Sequence, residues 1–132
     1  MTVVKARVRA VGFRGGVEGV VLVNTGASLT LLDMEVAKAI RVKSVGRRVR
    51  AVVTDGHELG TELAVLEELV VEGEELPYAY TAVVEFPNGL RGRLRELGLA
   101  YWCILGLTTL ELLQLVPDTT TGRLRKTAAI LI

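Results

Sequence analysis

The stretch Val-Asn-Thr-Gly-Ala-Ser, at residues 23 to 28, decides how the fold of this chain is interpreted. Residues 19 to 23 before it and residues 29 to 32 after it are mostly apolar. Short apolar runs bounded by turn-forming residues are typical of buried β-strands. The sequence therefore predicts two strands joined by a short loop that carries Asn24.

The loop itself is built from small residues and short hydroxyl groups. Gly26 allows a backbone geometry that a side chain would forbid. The hydroxyl groups of Thr25 and Ser28 can fix a loop by hydrogen bonds, and Ala27 is small enough to let a second chain approach closely. Most Asn-Thr-Gly triplets are ordinary turns, so this motif indicates a functional site only in combination with other segments of the chain.

A later apolar strand ends in a glycine at residues 103 to 107, which read Cys-Ile-Leu-Gly-Leu. Either Thr108 or Thr109 can cap the amino end of a short helix whose leucines face inward. A buried strand packed under a helix would account for these residues in any protein. It would not account for their pairing with the first loop.

In order and spacing, these segments resemble the retropepsin-like aspartic proteases over roughly residues 17 to 124. The resemblance implies a mostly β fold, a retropepsin-like closed β-barrel or acid-protease half-domain with one or two short helices. In that family the loop reads Asp-Thr-Gly, each subunit donates one aspartate, and the active site lies at the interface of a symmetric homodimer. The resembling residues are 23 to 32, 53 to 56, 104 to 107 and 115 to 122, with Gly60, Leu110 and Glu111.

The same resemblance implies roles for particular residues. Asn24 stands at the position of the catalytic aspartate, and Thr25 and Gly26 complete the loop. Residues 52 to 65 correspond to the flap that closes over a substrate. For His57 a solvated turn residue is the simpler interpretation, because no Cys or second His accompanies it. The residues expected to bind substrate or to form the flap are Ala27, Ser28, Thr54, Asp55, Gly56, His57, Ile104 and Leu105.

The implied activity is that of an aspartic endopeptidase, which hydrolyses peptide bonds with a water activated between two carboxylates, one from each subunit. This mechanism needs no metal and no cofactor. An amide has the shape of a carboxylate but no titratable proton, so the form with Asn24 is expected to be inactive. The implied partners are a second copy of the chain and a peptide or protein substrate.

Two explanations of Asn24 stay open at this point. Side-chain amides are scarce in the sequence, with only Asn24, Asn88 and Gln114, whereas Val, Leu, Arg and Glu are abundant. This bias is typical of heat-adapted, thermophile proteins, which avoid thermolabile amides. An amide at the catalytic position is unexpected in such a protein. The bias therefore favours an engineered Asp-to-Asn inactivation. The alternative is a natural non-catalytic, dimeric pseudoprotease that binds peptides.

Length and composition limit the class of protein. The chain has 132 residues and a net charge of +1, so a single domain over residues 1 to 132 is expected. No run approaches the ~18 apolar residues of a membrane span, and the balanced charge argues against nucleic-acid binding. A single Cys103 excludes an internal disulfide and favours a cytoplasmic location.

Periodicity and turn residues predict further elements. A helix is expected at residues 34 to 40, capped by Asp33. A long hairpin is expected at residues 47 to 54 and 58 to 72. Residues 87 to 89 are expected to form a turn, and residues 91 to 98 a short helix or a loop.

Two surfaces are also predicted. The alternating residues 3 to 11 and 128 to 132 offer strand edges that could pair across a two-fold axis. A basic run is interpreted as a solvated strand face rather than a phosphate site, because the whole chain is balanced in charge. Its residues are Arg41, Lys43, Arg47, Arg48 and Arg50.

Overall fold

The computed structural model describes residues 3–52, 56 and 58–127. Strands dominate this part of the chain, as the sequence predicts, and three short helices accompany them. The elements are β1 (Lys5–Gly12), β2 (Gly15–Val23), β3 (Thr30–Asp33), α1 (Met34–Ile40), β4 (Lys43–Val52), β5 (Glu58–Val65), β6 (Glu68–Val71), β7 (Glu74–Pro77), β8 (Tyr80–Val84), α2 (Asn88–Glu96), β9 (Cys103–Leu105), α3 (Leu107–Leu113), β10 (Leu115–Asp118) and β11 (Arg123–Lys126).

Nine of the strands form one mixed sheet in the order β4-β5-β8-β3-β9-β2-β1-β6-β7. β10 and β11 form a separate antiparallel hairpin. Within the large sheet, β9 is parallel to β2 and antiparallel to β3, and β3 is parallel to β8. The central position of β9 means that residues far apart in sequence meet in the middle of the sheet.

Alternating side chains explain why β1 forms where it does. Its residues Ala6, Val8 and Ala10 are buried, while the charged residues between them are exposed. This period of two places the apolar residues on one face of the strand. The register with β2 runs along the full strand, from Lys5 opposite Leu22 to Gly12 opposite Gly15.

The sheet is covered by apolar clusters on both faces. Val21, Val23, Leu32 and Leu105 belong to the larger cluster, and their chain neighbours Leu22, Leu31 and Ile104 belong to the smaller one. Neighbouring residues of a strand point to opposite faces, so the two clusters lie on opposite sides of the sheet. The helices α1 and α3 pack on the larger cluster, and α2 packs on the smaller one through Leu94 and Leu90.

The helix α1 has the predicted bounds, but Asp33 does not cap it with its side chain. The carboxylate of Asp33 is fully buried and accepts hydrogen bonds from the Phe86 N–H at 2.9 Å and from the Arg91 Nη2 at 2.9 and 3.0 Å. A buried carboxylate needs a charged partner, which the helix amino end does not supply. Asp33 therefore occupies the predicted cap position, but the prediction that its side chain caps the helix was wrong.

The predicted turn at residues 87 to 89 was also wrong, because α2 begins at Asn88. Pro87 stands at the cap position, and its carbonyl accepts a hydrogen bond from the Arg91 N–H at 3.0 Å. The ion pair between Arg91 and Asp33 fixes this first turn against the sheet. The segment at residues 91 to 98, for which helix and loop were both open, is helical up to Glu96. Residues 3–52, 56 and 58–127 thus contain three short helices, one more than the upper number expected.

Two strand predictions need correction. The second arm of the long hairpin ends at Val65, and residues 68 to 71 instead pair with β1 and β7. The chain leaves the hairpin because Leu66 is buried in the larger cluster, where its N–H donates to the Ala79 carbonyl. β1 is not an edge strand, since it lies between β2 and β6, and residues 128 to 132 lie outside the described part.

Candidate active site

The loop at residues 24 to 29 connects two strands that are not neighbours in the sheet. β9 lies between β2 and β3, and Ile104 is opposite both Leu22 and Leu31 in the register. After β9 the chain continues through Gly106 into α3. The loop therefore crosses the carboxyl end of β9, and its shape depends on what lies there.

Gly106 makes this crossing possible. A Cβ atom at Gly106 would lie 2.3 Å from both the carbonyl carbon and the carbonyl oxygen of Leu29, and 2.7 Å from the nitrogen of Thr30. These are backbone atoms, which cannot move aside as the end of a flexible side chain would. A glycine is therefore required at residue 106 of the second motif, because any side chain there would clash with the backbone that follows the Asn24 loop.

Backbone hydrogen bonds attach the loop to β9 and to the first turn of α3. The Asn24 N–H donates to the Leu105 carbonyl at 2.9 Å, and the Leu107 N–H donates to the Ala27 carbonyl at 2.8 Å. Thr108 donates to the Ser28 carbonyl through its N–H at 3.0 Å and through its hydroxyl at 2.7 Å. The amino end of a helix has N–H groups without partners in the helix, and here the loop satisfies those of Leu107 and Thr108.

A buried pair of hydroxyl groups strengthens the same junction. The Thr30 and Thr109 Oγ1 atoms lie 2.7 Å apart, and the Gly106 N–H donates to Thr30 at 3.0 Å. Both threonine side chains are buried. The predicted capping of α3 by Thr108 or Thr109 was wrong, because Gly106 occupies the cap position and Thr109 lies inside the helix. The Thr109 hydroxyl instead forms the buried hydrogen bond with the Thr30 hydroxyl.

Asn24 follows the last residue of β2 and is exposed, as are Thr25 and Gly26. Its Oδ1 accepts a hydrogen bond from the Gly26 N–H at 2.9 Å, and its main-chain carbonyl accepts one from the Ala27 N–H at 3.1 Å. The side chain is therefore oriented by the backbone of its own loop. A carboxylate at this position has the same acceptor atom and can make the same bond.

An apolar row lies beside Asn24, and only one of its three members, Ile104, was predicted from the sequence as a site residue. Leu22, Ile104 and Leu31 are cross-strand neighbours on β2, β9 and β3, and all three belong to the smaller apolar cluster. Leu22 precedes Asn24 by two positions, the spacing that puts side chains on one face of an extended chain. That spacing was a usable signal for Leu22, whereas the position of Leu31 depends on the insertion of β9.

Comparison with solved structures identifies the fold of this chain. No model of a protein family matches the chain, and no curated protein matches its sequence. The retroviral protease-like domain of Ddi1 from Leishmania major aligns with 98% of this chain and 91% of its own, with a TM-score of 0.57 and 16% identity. A retropepsin-like aspartic protease from Rickettsia conorii aligns with 83% and 76%, with a TM-score of 0.50 and 20% identity. The chain has the retropepsin-like fold.

Within this retropepsin-like fold, β4 and β5 pair from Lys43 opposite Val65 to Val52 opposite Glu58, with a shift of register between Ser44 and Arg47. The predicted flap tip lies between them. Gly56 is exposed, with a positive φ of 90° that favours glycine, and nothing described lies within 4 Å of its Cβ position. The other predicted tip residues, Thr54, Asp55 and His57, lie outside the described residues, so the flap stays a prediction.

The two residues expected beside the loop from the second motif are both buried. Ile104 belongs to the smaller apolar cluster, and Leu105 lies in the larger one with its carbonyl bound to Asn24. Burial also raises the pKa of the adjacent Cys103 thiol to about 12, so this group is neutral at ordinary pH. Among residues 3–52, 56 and 58–127, no cluster of His, Cys, Asp and Glu could hold a metal ion, and no helix is long and apolar enough to cross a membrane.

Proposed function

We propose that this chain is one subunit of a dimeric aspartic endopeptidase, with Asn24 at the position of the catalytic aspartate. The observation that carries the proposal is the exposed side chain of Asn24 on a loop held rigidly by β9 and α3. The same loop sequence with Asp in place of Asn would present a carboxylate from a fixed frame. The form with Asn24 is then inactive because it lacks that carboxylate.

A second copy of the chain is needed because the chemistry takes two carboxylates. One chain supplies a single Asn-Thr-Gly loop, and the loop residues Asn24, Thr25 and Gly26 are exposed in the single subunit. Ala27, half-buried beside them, has a small side chain that would let another main chain approach. A two-fold axis next to this loop would bring residue 24 of both subunits together, which is the isologous arrangement of a symmetric dimer.

In the Asn24→Asp form, the two carboxylates would work as a pair. Held about 3 Å apart, they cannot both be ionised and share one proton. The ionised member takes a proton from water as the water oxygen attacks the peptide carbonyl carbon, and the protonated member donates to the carbonyl oxygen. The Gly26 N–H, which now binds Asn24, would keep one carboxylate oxygen oriented.

The apolar row beside Asn24 supports a peptide as the substrate. Leu22 and Leu31 are half-buried in the single subunit, and they lie on either side of Ile104. Together with the same residues of a second copy, they would line the cleft with apolar surface. Such pockets accept apolar side chains on either side of the bond that is cleaved.

The decisive test is cleavage of an unfolded protein mixture by the Asn24→Asp variant across a range of pH. We expect a bell-shaped rate profile, because the pair works only while it holds a single proton. The parent chain should be slower by at least ~10²–10⁴, the usual effect of losing a general base. Asn88→Asp is the matched control, since it makes the same chemical change at an exposed position on α2.

The test separates this proposal from the alternative of a natural peptide-binding pseudoprotease. If Asn24→Asp cleaves nothing and binds a mimic of the tetrahedral intermediate no better than the parent chain, the endopeptidase proposal is wrong. Peptide binding by the parent chain would then favour the pseudoprotease. Sedimentation of the parent chain as a monomer at micromolar concentration would count against both, since each requires a dimer.

A further inference from the structure

The strand β4 is an edge of the nine-stranded sheet over the part of the chain that the structure describes. It pairs with β5 on one side, and its other side has no strand beside it among these residues. Eight of its ten residues are exposed, and the remaining two, Val49 and Ala51, are half-buried. A free strand edge of this kind presents N–H and C=O groups to which another chain can bind.

This edge carries a net positive charge. Lys43, Arg47, Arg48 and Arg50 lie on β4, and among the described residues only Arg50 forms an ion pair, with Glu58 of β5. Glu62 of β5 lies opposite Arg48 in the register and accepts a hydrogen bond from the Ser44 hydroxyl. Arg48 and Arg50 are two positions apart and share one face of the strand, whereas Arg47 points to the other face. β4 therefore carries arginines on both of its faces, which the interpretation as a single solvated face did not anticipate.

A notch of about 310 Å³ opens between the two arginines that share a face. It is formed by Arg48, Val49, Arg50, Glu58 and Gly60. Gly60 has no side chain to fill it, and a Cβ atom there would lie 2.9 Å from the Nη2 of Arg48. The guanidinium group of Arg48 thus lies over Gly60 of the paired strand β5. The Arg48 side chain is exposed, so it can turn from this position to a carboxylate of a chain bound at the free edge.

A bulge limits the usable length of the edge. The register of β4 with β5 shifts between Ser44 and Arg47, and regular pairing runs from Arg47 opposite Leu63 to Val52 opposite Glu58. Bulges and basic residues are common devices that stop two identical edges from pairing, because like charges repel. The same cations attract a strand that carries carboxylates. The edge is therefore disfavoured for a second copy of β4 and favoured for an acidic strand.

We propose that residues 47 to 52 of β4 are a docking site for an extended, acidic peptide segment, which adds a strand to the sheet. Main-chain hydrogen bonds to the free edge provide affinity, and carboxylates on both faces of the segment contact Arg47, Arg48 and Arg50. The site is distinct from Asn24 and does not depend on cleavage. An acidic segment of a substrate protein would be held by the outer strand of the predicted flap hairpin.

The test uses the full chain with Asn24 and a fluorescein-labelled eight-residue peptide rich in Glu and Val. Fluorescence anisotropy should show binding that weakens with salt and is lost when Lys replaces Glu. The double variant Arg47→Ala/Arg48→Ala should bind about tenfold more weakly, since two charged contacts are removed. The double variant Arg123→Ala/Arg125→Ala removes the same charge from exposed positions of β11 and should stay within about twofold of the parent.

Two N-methylated peptides distinguish strand addition from simple attraction of charges. Each blocks one alternate set of N–H groups, and only one set faces β4 in a paired strand. One peptide should therefore lose at least about tenfold in affinity, while the other stays within about threefold. Equal binding of both N-methylated peptides, or equal losses in the two double variants, would overturn the proposal. Failure here leaves the endopeptidase proposal untouched, because Asn24→Asp cleavage is measured separately.

Discussion

The buried hydroxyl pair between β3 and α3 allows a quantitative test of how the site loop is held. Thr109→Val keeps the branched shape of the side chain and removes only its hydroxyl, which lies 2.7 Å from that of Thr30. Thr30 is 1% exposed, so water cannot replace the lost partner, and its remaining bond is to the Gly106 N–H. We expect the free energy of unfolding to fall by about 1–3 kcal/mol, the cost of a buried polar group left without a partner.

The assay is urea unfolding followed by circular dichroism, at one fixed protein concentration because a dimer would couple stability to concentration. Thr109→Ser keeps the hydroxyl and loses a methyl group, which should cost about 1 kcal/mol. Thr108→Val removes an exposed hydroxyl and should lower the free energy of unfolding by less than about 1 kcal/mol, since water can donate a hydrogen bond to the Ser28 carbonyl in its place. If Thr109→Val were no less stable than Thr109→Ser, the hydroxyl pair would not hold the junction.

Three further predictions concern other buried contacts of the fold. Gly106→Ala should destabilise the fold by about 3 kcal/mol or more, because the clash is with backbone, whereas Gly92→Ala on α2 meets nothing and should be neutral or stabilising in the same urea assay. Arg91→Gln should cost about 3 kcal/mol in thermal or urea unfolding, since Asp33 would stay buried without its cation. Cys103 should resist a thiol reagent in the folded protein at pH 8 and react once it unfolds. Because burial raises its pKa from 9.0 to about 12, its contribution to stability is full below pH 9 and is lost as the pH rises toward 12.

Local patterns in the sequence were sufficient for the elements that depend on neighbouring residues. The helix α1 was predicted with its observed bounds, because its apolar residues Val36, Ala37 and Ile40 follow a helical period. The site loop was predicted from its own composition and from the apolar runs on either side. Both predictions involve interactions within a few positions along the chain, which a single sequence displays directly.

Contacts between distant residues account for what the sequence did not reveal. The pair Thr30 and Thr109 is separated by 79 positions, and the ion pair of Asp33 with Arg91 by 58. For Asp33 and Thr109 the sequence allowed a local role, a side-chain helix cap, and each side chain instead bonds to a residue far away in the sequence. The insertion of β9 between β2 and β3 belongs to the same class, since no local pattern specifies which strand lies between two others.

The frame of the site loop is nearly independent of the charge at residue 24. Its hydrogen bonds come from main-chain groups of β9 and α3 and from the hydroxyls of Thr30 and Thr108, and none of these atoms belongs to the side chain of Asn24. Within the described part of the chain this side chain makes one hydrogen bond, from the Gly26 N–H to its Oδ1, and a carboxylate can accept the same bond. Asn24→Asp therefore alters the proton chemistry of the loop and leaves its construction unchanged. Any difference in cleavage or binding between the two forms then reports on the charge at residue 24 rather than on a change of fold.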